Sequence, residues 1–150
     1  MPNEESIIRY LDDLEDTIVI KDLIKRYKIK KPELFKKVTN FILRSNSRIM
    51  SARSIHKYLL GQGIECSINT ILGYMNYLKE AYVIEELAQY STKAKRELNY
   101  NHKLYNSDVS FNSLKVDNKR YDLDHNLENI VYNELLYMGY DLKVYDNKGK

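Results

Sequence analysis

At 150 residues with 43% hydrophobic content, the chain is long enough for one domain or two small ones and can bury a core. Charged residues reach 30% and mean hydropathy is -0.56, and no stretch approaches the roughly 20 apolar residues of a membrane-spanning helix, so a soluble protein without membrane contact is expected. A formal charge of +3 does not by itself mark a nucleic-acid binder, and the single cysteine, Cys66, excludes an intramolecular disulfide and a cysteine-cluster zinc site.

Taken in chain order, the first segment is acidic. Glu4, Glu5, Asp12, Asp13, Glu15 and Asp16 face only Arg9, in place of the cationic start of a secretory signal, so the cytoplasm is the expected location. Ile7, Leu11, Leu14 and Ile18 follow helical spacing, and Ile20, Leu23, Ile24 and Tyr27 continue on a shifted stripe. One long helix, or two joined near Thr17-Ile18-Val19, accounts for both. The charge then reverses: Lys21, Lys25, Arg26, Lys28, Lys30, Lys31, Lys36 and Lys37 outweigh Asp22 and Glu33. Such a run is either a solvated helix face or a basic surface beside a phosphate backbone.

Pro32 is suited to the first position of a helix, where its missing N–H costs nothing, and Leu34, Phe35, Val38, Phe41 and Ile42 form one stripe ending before Ser45-Asn46-Ser47. Ser51 can cap a helix carrying Ala52, Ile55 and Leu59 inward, with Gly61 and Gly63 in the turn after it. Ser67 can cap another, with Ile68, Ile71, Leu72, Met75 and Leu78 on its apolar face. Asn69, Thr70, Tyr74, Asn76 and Tyr77 are then expected to project away from the core. Val83 to Leu87 reads as a strand, Ser91 to Glu97 as a charged loop, and Leu98 to Tyr105 as a returning strand.

Three helices followed by a two-stranded ribbon is the order of a winged helix-turn-helix, with the Ser67 helix offered to a major groove. Asn and Thr can read base edges, and Lys93, Lys95 and Arg96 at the ribbon tip can reach phosphates. Arg48, Arg53 and Lys57 flank the two helices. The expected contact surface for DNA or a partner protein is Arg53, Lys57, Asn69, Thr70, Tyr74, Tyr77, Lys93, Lys95 and Arg96. Against DNA stands the lack of arginine on that helix face, and winged helices also dock proteins.

Asn106 to Tyr121 is polar and reads as loop with at most a short helix. Asp124 or Asn126 can cap a last helix with an apolar face of Leu127, Ile130, Val131, Leu135 and Met138. Steps of about 100° put Glu134 in the middle of that face and Glu128 at its edge. A carboxylate aimed at a core needs a partner, so Glu134 is expected either to pair with a lysine or backbone amide or to serve a metal-binding or catalytic role. Leu142 to Tyr145 reads as a strand, and Asp146-Asn147-Lys148-Gly149-Lys150 as a turn that asks for a following strand.

Three segments together resemble a known family. They are "TIVIKDLIKRYKIKKPELFKKVTNFIL", "SINTILGYMNYLKEAYVIEELAQYSTKAKRELNYNHKLYNSD" and "LENIVYNELLYMGYDLKVYDNKGK". In that order they are similar to the region following the ATPase module of many bacterial and archaeal AAA-type ATPases. The resemblance implies an α+β, mainly helical fold: a helical linker over 1–31 from a missing ATPase domain, a winged helix over 32–105, and over 106–150 the truncated start of a restriction-endonuclease-like α/β piece. It implies Glu128 and Glu134 as metal-binding acids of an intact parent. Asp108 sits where that family often has an aspartate followed shortly by glycine, but Val109-Ser110 departs from the pattern. No G-x-x-x-x-G-K-[ST] motif is present, so ATP and magnesium are expected only of the parent and no cofactor of these residues. The expectation is a non-catalytic accessory fragment that binds DNA or a partner protein, or self-associates. The alternatives are part of a metal-dependent nuclease-like enzyme and a stand-alone winged-helix transcriptional regulator.

Overall fold

The computed structural model describes residues 3–90, 102–111 and 123–145. It is α+β and mainly helical. The chain starts with α1 (Glu4–Glu15), passes through a π-helical turn (Asp16–Lys21) and continues as α2 (Asp22–Arg26). The π-turn falls where a junction was expected. Its wider turn adds about one residue, which explains why the apolar stripe of α1 gives way to a displaced one in which Ile20 and Leu23 are buried.

Pro32 opens α3 (Pro32–Arg44), which buries Leu34, Phe35, Val38, Thr39, Ile42 and Leu43 and ends with Ser45 as its C-cap. After it comes β1 (Arg48–Met50), a three-residue strand that the sequence did not announce. Ser51 then caps α4 (Ala52–Gly61) with a capping box: its Oγ accepts from Ser54 N at 3.1 Å and Ser54 Oγ accepts from Ser51 N at 3.0 Å. A left-handed Gly63, with φ of 71°, helps turn the chain toward α5 (Ile68–Glu80). Ser67 caps that helix through Oγ to Thr70 N at 3.0 Å.

The strands β2 (Ile84–Tyr90) and β3 (His102–Asn106) pair antiparallel, Ile84 opposite Asn106 and Ala88 opposite His102. On its other side β3 pairs antiparallel with β1, Arg48 opposite Leu104. The last helix, α6 (Leu123–Tyr137), leads to β4 (Val144–Tyr145), which lies parallel to the end of β2. The sheet order is therefore β1-β3-β2-β4.

One core joins these elements. Phe35, Val38, Ile42 and Leu43 from α3, Ile55 and Leu59 from α4, Ile71 and Leu78 from α5, and Ile84 and Leu104 from the sheet are almost fully buried. Each such side chain contributes about 1.5–3 kcal/mol of burial. No described helix is long and apolar enough to cross a membrane.

Two expectations about α6 need correction. Asp124 and Asn126 lie inside its first turns instead of capping it. More importantly, the helix docks through the side opposite its hydrocarbon stripe: Asn126, Asn129 and Tyr132 are buried, while Leu127, Ile130, Val131 and Met138 are exposed. Glu134, on the stripe, is exposed with it and meets no core. The physical reason is a set of amide contacts. Asn129 accepts from Asn106 N and donates to Asn106 O, both at 2.8 Å, in the manner of a neighbouring strand. Asn46 Nδ2 donates to Asn126 Oδ1 at 3.0 Å, and Asn133 Nδ2 donates to Asn106 O at 3.1 Å. Satisfying the buried backbone at the end of β3 outweighs covering a few aliphatic side chains.

Candidate nucleic-acid interface

Ile71, Tyr74, Met75 and Leu78 form the buried side of α5, against α3 and α4. Steps of about 100° put Asn69, Leu72, Gly73, Asn76 and Glu80 on the opposite side, where Asn69, Leu72, Asn76 and Glu80 are exposed. An added Cβ on Gly73 would meet nothing within 4 Å, so nothing inside the protein requires a glycine there.

The two flanks of this strip are pinned. On one, Tyr77 stacks on Tyr27 with centroids 4.0 Å apart and rings 14° from parallel, and Tyr27 Oη donates to Glu80 Oε2 at 2.8 Å. That hydrogen bond to a carboxylate pushes the Tyr27 phenol above its ordinary pKa, with smaller help from desolvation. On the other flank Lys79 forms an ion pair with Glu86 of β2, and His102 Nδ1 lies 3.3 Å from the second carboxylate oxygen. The strip is thus a mainly polar ridge, broken by Leu72 and held on both flanks, between the α2 end and the sheet.

The sequence-predicted contact residues divide accordingly. Arg53 and Lys57 on α4 and Asn69 on α5 are exposed, as expected. Thr70 is half-buried, and both its N–H and its Oγ1 are engaged by the Ser67 cap. Tyr74 does not project outward: it is buried edge-on against Phe35, centroids 5.0 Å apart at 83°, and burial raises its phenol pKa. Leu72, assigned inward, takes the exposed place instead, because a tyrosine ring is apolar enough to fill the gap beside Phe35. Tyr77 is half-buried in its stack with Tyr27. Lys93, Lys95 and Arg96 lie outside the described residues.

The suggested metal acids are not brought together. Glu128 is half-buried, accepts from Tyr105 Oη at 2.8 Å and forms an ion pair with Lys103, whereas Glu134 is exposed on another side of α6. Among the described residues no group of three or more His, Cys, Asp or Glu side chains could hold a metal ion. Asp108 closes a local turn by accepting from Ser110 N at 2.9 Å. Cys66 is half-buried beside the core, its thiol pKa raised by burial and partly offset by the charge of Lys31. Sequence reasoning missed Gly73, whose signal was a glycine in mid-helix on the polar side.

Residues 1–120 match the family described as "Domain of unknown function (DUF8612)", and the chain belongs to that family. An uncharacterized protein of Haemophilus influenzae is 28% identical over 143 residues, which is 95% of this chain and 35% of the relative. The chain thus spans about a third of that relative's length. No solved structure matches. The family match overturns the resemblance to the region following AAA-type ATPase modules, since it is to a different domain family. The ATPase parent, its ATP and magnesium, and the nuclease-like tail were implied by that resemblance alone and lose their support with it.

Proposed function

We propose that this member of the family is a non-catalytic binding module of winged-helix type whose α5 contacts double-stranded DNA. The carrying observation is the outward ridge of α5: Asn69 and Asn76 on either side of Gly73, with no internal packing reason for the glycine. Element order supports the reading, since α3, β1, α4 and α5 precede the β2–β3 hairpin and β1 closes the sheet against β3. In this reading Asn69 and Asn76 pair with adenine edges, Leu72 meets a thymine methyl, and Gly73 lets the helix backbone approach the bases. Arg53 and Lys57 on α4, with Lys93, Lys95 and Arg96, bind phosphates and fix orientation without reading sequence.

A protein partner is the second reading, favoured by the exposed Leu72 and the absence of a cation from the α5 ridge. Salt separates the two, because each phosphate neutralised adds about -0.9 to the slope of log affinity against log salt. The test is selection of bound duplexes from a random pool by the full chain, followed by titration of wild type and Asn69→Ala/Asn76→Ala. About 1–3 kcal/mol of discrimination is expected to vanish per adenine contact. A double variant that keeps its fold by circular dichroism and binds the selected duplex as wild type does would sink the reading.

A further inference from the structure

The α5 ridge has no cation of its own, so a duplex held against it needs phosphate contacts from elsewhere. We propose that, beside Arg53 and Lys57 on α4, the turn between α2 and α3 supplies a further set through Lys28, Lys30 and Lys31, forming a phosphate-contacting edge along one flank of α5. The inference rests on the DNA reading above.

The turn is tied to α5 along its length. At its start Tyr27 is stacked on Tyr77 and hydrogen-bonded to Glu80, in the second half of α5. At its end Lys31 is the N-cap residue of α3, and its carbonyl accepts from Phe35 N at 3.0 Å, the residue packed against Tyr74 at the middle of α5. The charge of Lys31 also partly offsets the rise that burial gives the thiol of Cys66, just before the α5 cap. Between these anchors Ile29 is buried and Lys28, Lys30 and Lys31 are exposed, so the core holds the turn by its one aliphatic residue and the lysines face solvent. None of the three forms an ion pair among the described residues, whereas neighbouring Arg26 is paired with Asp22 at 2.6 Å.

Lys28 adds a second argument. Its φ is 49°, in the left-handed region that glycine or asparagine occupies at lower cost. A lysine there gives up backbone ease and leaves three exposed cations within four residues. A backbone polyanion beside the turn accounts for both features.

The experiment is a duplex-binding titration of the full chain over roughly 50 to 200 mM salt, the range in which phosphate contacts dominate affinity. It compares wild type, Lys28→Gln/Lys30→Gln/Lys31→Gln, and the single variant Lys28→Gly. The slope is expected to fall by about 0.9 per lysine lost, with affinity reduced alike on all sequences. Lys28→Gly should show one such step while unfolding no earlier than wild type. An Arg9→Gln/Arg44→Gln control, which removes one charge on α1 and one at the end of α3 opposite Lys31, should keep the wild-type slope. If the triple variant keeps the wild-type slope while Asn69→Ala/Asn76→Ala still loses discrimination, the turn is not a contact and the α5 reading stands. If the control falls as steeply as the triple variant, bulk charge is the cause and the proposal is overturned. If wild type binds no duplex at low salt, the α5 reading fails and the turn falls with it.

Discussion

α5 and α6 each pack beside the sheet, α5 near β2 and α6 near β3, but they do so through opposite chemistry. α5 buries Ile71, Tyr74, Met75 and Leu78 and leaves a polar ridge outside; α6 buries Asn126, Asn129 and Tyr132 and leaves Leu127, Ile130 and Val131 outside. Hydrocarbon contact tolerates small shifts and holds α5 as part of the core. Amide contact is directional, and a broken bond strands buried partners, so α6 is docked specifically but depends on few groups. The ridge with freedom to meet a ligand is therefore on the firmly held helix, which is what a reading element requires.

That contrast can be broken most severely at Asn129. Replacing it by Ala leaves the buried N–H of Asn106 without its partner, leaves Asn106 O to Asn133 alone, and removes an acceptor of Asn46 Nδ2. A loss of about 2–4 kcal/mol is expected, from about 1–3 kcal/mol per stranded buried group. Hydrogen exchange should show it concentrated in α6, with α5 amides still protected. Equal deprotection of both helices would mean that they unfold as one unit and that the distinction is false.

The α6 side also responds to alkali. Tyr105 stacks on Tyr132 with centroids 3.8 Å apart, and burial first, then the hydrogen bond to Glu128, raises its pKa well above 10. The folded state therefore holds this proton longer than the unfolded chain. The stabilisation is complete below about pH 10 and is lost as pH rises beyond it, at up to about 1.4 kcal/mol per pH unit. Urea unfolding at pH 8, 10 and 11 should show a steeper alkaline decline for wild type than for Tyr105→Phe. Parallel declines would assign the loss to other groups, Tyr132 and Tyr74 among them.

How much of this was legible in the sequence differs by region for the same reason. The α3, α4 and α5 boundaries rest on local signals, Pro32, Ser51 and Ser67, and these act within one helical turn of where they stand. The α5 face was read about one position off because Leu72 outranks Tyr74 in hydropathy, while the pocket beside Phe35 favours a ring. The helix α6 was legible but its docking side was not, because that side is set by Asn46, 80 residues from Asn126, and by Asn106, 23 residues from Asn129. Periodicity located its stripe correctly and could not say which side would meet the protein. β1 is three residues long and exists only through its pairing with β3. The family resemblance failed because it rested on the succession of three segments, none of them diagnostic alone.

The smallest change is also the most direct test. A mid-helix glycine is worth about 1 kcal/mol less than alanine, and a Cβ at position 73 meets nothing within 4 Å, so Gly73→Ala should stabilise the free protein by about that amount. The measurement is its affinity for the selected duplex against wild type at matched salt. Binding at least about tenfold weaker, equivalent to about 1.4 kcal/mol, is expected from a more stable protein, because the added methyl holds α5 off the bases. Affinity equal to wild type would contradict the claim that the outward side of α5 is the contact surface.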